Sequence, residues 1–188
     1  MVNAPSADDL RAAFTFSRFD PIGGEPSYET LFKLETHATC NVATVVIRLP
    51  PPHTNLSGIV DQPAVYILRV IAPFPRPPYP GNAAQFTAGA TIVQRQKIQA
   101  VYDANIKNFA ICQTTENVLK SLLENATEHS YLAGIHSSTL GFGARTLQDI
   151  FLHLYQTYGG IIPTALQVNT TRLTTHIASH LPIALIFR

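Results

Sequence analysis

His176 and His180 stand four residues apart, the spacing that places two imidazoles on one helix face and lets them share a metal ion. The stretch HIASH lacks the glutamate of the zinc-protease pattern and has no acid beside it, so no metal site is expected. Gly141-Phe142-Gly143-Ala144-Arg145 runs into a helix start, where free amides and the positive end of the helix dipole suit a phosphate. It has neither the P-loop lysine nor the full dinucleotide fingerprint, and its expected role is a turn that reverses the chain before Thr146. Cys40 and Cys112 have no paired spacing, and no local motif supplies the base and orienting group that a nucleophilic thiol needs, so both read as buried and neutral. These residues assign no catalytic group, no cofactor and no metal, and the chain is expected not to be an enzyme.

Composition narrows the remaining classes. Lys and Arg number 13 against 12 Asp and Glu, so no global charge steers the chain to nucleic acid or to an anionic membrane. Arg95, Lys97, Lys107 and Lys120 are interrupted by Asp103, Glu116 and Glu124, an ordinary solvated helix surface with no aromatic-basic platform. Charged residues make up only 13% of the 188, about half the usual share, which implies a neutral surface prone to association. The apolar runs are far shorter than the ~20 residues that cross a bilayer, and the start MVNAPSADDL has no basic stretch followed by an apolar one. An intracellular, cytoplasmic protein without membrane contact is expected.

The elements that would position any site fall into two parts, 1–81 and 82–188, because all but Pro163 and Pro182 of the 14 prolines precede Gly81. Phe14, Phe16 and Phe19 form an aromatic arm, a strand or an extended segment. Pro26 and Ser27 open a helix to about Val45 in which Leu31, Leu34, Ala38, Val42 and Val45 recur at three- and four-residue steps. Pro50-Pro51-Pro52 and the stretch from Pro73 to Gly81 hold neither a regular helix nor a central strand. Between them Ala64–Ile71 is apolar and short, and periodicity leaves helix and buried strand both open. After Gly89 the pattern is helical: one stripe through Ile98, Val101, Asn105, Phe109 and Cys112, then a second helix capped by Thr114 or Thr115 and carrying Val118, Leu119, Leu122, Leu123 and Ala126. Pro163 opens a later helix through Leu166, Asn169, Leu173 and Ile177, and Asn105 and Asn169 read as buried hydrogen-bonding residues that fix register. Pro182 starts a further helix that Arg188 cuts short, as in a piece of a longer polypeptide.

The strongest local signal lies at Thr146–Tyr158. Leu147, Ile150, Phe151, Leu154, Tyr155 and Tyr158 share one helix face, each worth roughly 1.5–3 kcal/mol when buried. Thr146 and Asp149 have capping-box spacing, and Gly159 is the left-handed stop expected of a helix end. The rest of the chain is expected to pack on this face, with Gln148 and Gln156 exposed.

The order of YETLFKLETHATCNVATV, LSGIVDQPAVYIL, APFPRPPYPG, AVYDANIKNFAICQTTENVLKSLL and TLGFGARTLQDIFLHLYQTYGGIIPTALQVN resembles that of Gag-like proteins of copia-type retrotransposons over most of residues 28–187. The resemblance implies a mainly α, helical capsid-like bundle with a proline-rich, partly extended N-terminal half, and a structural protein that assembles with itself into a shell or oligomer. No zinc knuckle and no basic tail accompany it here, so RNA is expected to be met only through regions absent from this chain. The alternative is a non-catalytic binding module that offers its proline-rich segments or an apolar groove to a partner protein. For assembly the expected interface is Phe14, Phe16, Phe19, Phe74 and Tyr79, which lie in segments without helical periodicity.

Overall fold

Thr146 Oγ1 accepts the Asp149 amide at 3.1 Å while Asp149 Oδ2 accepts the Thr146 amide at 2.8 Å, and this reciprocal cap starts the helix Leu147–Tyr158. The structure is a computed structural model that describes residues 5–160. Its helices are α1 (Ala7–Ala13), α2 (Tyr28–Thr44), α3 (Pro63–Val70), α4 (Ile92–Ala126), α5 (His129–Leu132) and α6 (Leu147–Tyr158), with a 3₁₀ turn at Ser57–Ile59. The fold is mainly α, and no strand occurs among the described residues. No helix there is long and apolar enough to cross a membrane. The later helices expected from Pro163 and Pro182, Asn169, and the His176–His180 pair lie outside the described residues.

Leu147, Ile150, Phe151 and Leu154 of α6 are fully buried, as their spacing predicts. Tyr155 and Tyr158 are half-buried at the rim, because each phenol must keep a partner or water. Tyr155 donates to Glu35 Oε2 at 2.7 Å and Tyr158 packs edge-on against Tyr131. Gly159 ends the helix, but at φ −77° rather than in the left-handed region. What the position requires is the missing side chain: a Cβ there would stand 2.6 Å from the Tyr155 carbonyl oxygen.

Helix α2 packs on α6 with Leu31, Leu34, Ala38 and Val42 buried, and it stops at Val45 as expected. The N-terminal arm closes over α2. Asn41, fully buried, accepts the Phe16 amide and donates to the Phe16 carbonyl, each at 2.8 Å, pairing with the arm as a strand would. The Ile22 amide bonds the Ala126 carbonyl at 2.8 Å and ties the far end of the arm to α4. Residues from both sides of Gly81 enter one core, so the proline boundary marks a change of local rules rather than two separate cores.

Helix α4 corrects the sequence reading most. One unbroken helix of 35 residues replaces the two expected, and Thr114 and Thr115 lie inside it. No glycine or proline occurs between Ile92 and Ala126, and an interior threonine costs only a few tenths of a kcal/mol, too little to break a helix. The predicted stripe also divides: Cys112 is buried, whereas Val101 and Asn105 are exposed, because the first turns of α4 run clear of the other described helices. Asn105 therefore fixes no register.

Candidate functional site

Pro63 starts α3 without losing a useful donor, and eight residues give it little more than two turns. Its sequence PAVYILRV is apolar on nearly every side, yet so short a helix buries one side only. That side is Tyr66, 2% exposed, whose hydroxyl lies 2.7 Å from His53 Nδ1 and whose ring meets Phe74 edge-on. Phe74 in turn rests on bare backbone, since a Cβ at Gly58 would fall 2.3 Å from its ring. Val65, Leu68 and Ile71, at three-residue steps, are left outside at 57%, 85% and 88% exposure. Ile71 holds φ +60°, a left-handed conformation that a β-branched side chain adopts only at a cost. These three form an aliphatic stripe that no described element covers.

Four of the five residues expected at an interface are buried or partly buried. Phe14 and Phe19 are buried core residues, 6% and 3% exposed. Phe16 is partly buried with its ring stacked 3.8 Å from that of His37, and Phe74 is held by Tyr66 and Gly58. Only Tyr79 stays exposed, beside Phe109. The physical reason is tertiary: an arm clipped by Asn41 and a strap pinned by Arg76 bury aromatic rings without any periodic signal. The proline stretch is itself anchored, with the Tyr102 hydroxyl donating to the Gly81 carbonyl at 2.9 Å.

Among the described residues the polar clusters are ion pairs and hydrogen bonds that join elements. Arg69 donates to Ser57 Oγ at 2.6 Å and to the Asp61 carboxylate, so Ser57 faces a cation rather than a base. Burial raises the Asp61 carboxyl above its ordinary range and Arg69 draws it back. Burial likewise raises the Tyr66 phenol. Cys112 is buried and its thiol is pushed up to about 11, so it stays protonated and inert, whereas Cys40 is exposed, contrary to the sequence reading. His129 and His136 meet edge-on, but no group of three possible metal ligands occurs among the described residues.

One concave place gathers charge. Glu116, 4% exposed, accepts the Leu147 amide at 3.0 Å and Arg76 at 2.7 Å, joining α4, the proline strap and α6. Beside it Arg76, Lys120 and Arg145 line a cleft of about 270 Å³ with Gln113 and Asn117. Gly143, Ala144 and Arg145 form one wall, and the stretch Gly141-Phe142-Gly143-Ala144-Arg145 is a turn, as expected: Gly141 takes φ +55° and pairs back to Ser137. Sequence reasoning missed this cleft because Arg76, Lys120 and Arg145 come from three separate segments.

No family model matches the chain, and no curated protein and no solved structure matches it either.

Proposed function

We propose that this chain is a non-enzymatic structural protein that assembles with itself, in the manner of the Gag-like capsid proteins of copia-type retroelements, in an active or domesticated copy. The observation that carries the reading is the aliphatic stripe Val65, Leu68 and Ile71 on and just after α3, which no described element covers. Such a stripe on an otherwise weakly charged molecule favours association, and closed assembly is the usual way to cover it. The resemblance of the segments around Tyr28–Val45, Ala72–Gly81 and Thr139–Asn169 adds the class of assembly, a helical shell. In this reading the partner is another copy, the setting is the cytoplasm, and RNA is met through regions absent from this chain.

Sedimentation velocity of the wild type and of Leu68→Asp tests it. The wild type should form oligomers or particles, and Leu68→Asp should shift toward monomer with its helical circular dichroism intact. A wild type that remains monomeric at the highest soluble concentration would remove the reading.

A further inference from the structure

Lys120 is 8% exposed, and its ammonium makes no hydrogen bond among the described residues. Its nearest carboxylate oxygen is Glu116 Oε1, at 3.6 Å, too far for a hydrogen bond. The stem of Lys120 is buried, and its ammonium, ion-paired with Glu116 but not hydrogen-bonded to it, keeps donors for the cleft that it lines. Lys120 lines the cleft described above, where three cations stand against one lining carboxylate, Glu116. That carboxylate is already engaged by Arg76 and by the Leu147 amide. Asp149, close enough for Lys120 and Arg145 to lower its carboxyl, is committed to the first turn of α6, and the Thr146 amide lowers it most. Arg145 is exposed and makes no ion pair among the described residues.

We propose that the cleft between Arg76, Lys120 and Arg145 binds the phosphate group of a small phosphorylated molecule. Lys120 reaches the cleft from α4 and Arg145 from the end of the turn Gly141–Arg145, whose Gly143 and Arg145 amides are already bonded to the Leu140 and Phe142 carbonyls, so side chains carry the binding. A phosphate there receives hydrogen bonds from the Lys120 ammonium and the Arg145 guanidinium, with the Gln113 and Asn117 amides at the rim. The free donors of Arg76, whose side chain is 47% exposed, complete the positive side. A concave site concentrates this excess charge on an incoming anion. The positive charge is gathered in one half-open cleft and does not run as a stripe along the surface, which favours a compact phosphate over a nucleic-acid backbone. This site is independent of the α3 stripe and of assembly.

Titration calorimetry of the full chain with inorganic phosphate and with pyrophosphate, at constant ionic strength set by chloride, tests the proposal. Saturable binding is expected for the wild type. Lys120→Met and Arg145→Gln should each weaken it at least about tenfold, the loss of one charge-assisted contact. Lys97→Gln, on the free end of α4, should leave it unchanged. If Lys120→Met does not fold, the exposed Arg145→Gln carries the test alone. The proposal fails if neither anion binds saturably, if Arg145→Gln binds as well as wild type, or if Lys97→Gln weakens binding equally. It also fails if a single-stranded oligonucleotide binds with this variant sensitivity while pyrophosphate does not.

Discussion

Glu116 Oε1 accepts the Leu147 amide at 3.0 Å across 31 residues of sequence, so a buried carboxylate on one helix caps the first turn of another. The bond places a negative charge at the positive end of α6 and fixes where that helix begins against α4. Glu116→Ala should therefore cost about 3–5 kcal/mol, because it leaves Lys120 buried and unpaired as well as freeing the cap. Arg76→Gln, which removes a half-exposed partner of the same carboxylate, should cost less than about 1 kcal/mol. Urea unfolding of both variants measures the difference.

Leu154→Ala should cost about 2–5 kcal/mol, since Leu154 is fully buried at the centre of the α6 face. Gln156, exposed, should tolerate alanine with little change. Gln148 departs from its sequence expectation: its amide donates to the Gly58 and Asp61 carbonyls, so Gln148→Ala should cost about 1–2 kcal/mol. Chemical denaturation of the three variants should rank them Leu154, Gln148, Gln156.

Stability should fall as pH rises through the range in which Glu35 ionises. Burial raises the Glu35 carboxyl above its ordinary value of 4.5 and outweighs the lowering by the Tyr155 hydroxyl, so the folded state holds the proton more tightly than the unfolded one. That contribution is complete below about 4.5 and is lost as the carboxylate forms above it. Glu35→Gln should flatten this part of the profile, with its melting temperature gaining on the wild type from about pH 4 to pH 8. A parallel profile would place the proton elsewhere.

Phe19→Ser should unfold the protein rather than dissociate an oligomer, at a cost of about 3–5 kcal/mol, because Phe19 belongs to the core. Thermal melting read beside sedimentation separates the two outcomes. Loss of assembly with an unchanged melting temperature would contradict the burial of this ring.

Ile71→Gly should have two effects of opposite sign. Relief of the left-handed strain at φ +60° should stabilise the fold by about 1 kcal/mol. Loss of an exposed aliphatic side chain should weaken self-association. Melting temperature and sedimentation coefficient should move in opposite directions.

Local signals made α6 legible, since Thr146, Asp149 and the run from Leu147 to Leu154 carry their caps and their periodicity within 13 residues. Helix α2 was readable on the same grounds, from Ser27 to Val45. Thr114 and Thr115 misled because a residue suited to capping also sits inside a helix at small cost. Burial of Phe14 and Phe19 depends on Asn41 and Ala126, which no local pattern links to them. The α3 stripe left a trace in Val65, Leu68 and Ile71, but a short apolar run says nothing of which side remains uncovered. The cleft around Lys120 left none, because its charge excess exists only after α4, the proline strap and the turn at Gly141 have met.

The exposed first turns of α4 should make one helix behave as two thermodynamic units. From Ile92 to Val101 its side chains are mostly exposed, a span of about 15 Å at 1.5 Å per residue, whereas Leu119 and Leu123 are fully buried. Amide protons near Ile92 should exchange by fraying, and those near Leu119 only when the whole molecule opens. Whatever grips the free end would lengthen a rigid rod without tightening the core, so its signature is slower exchange along those turns with little change in melting temperature.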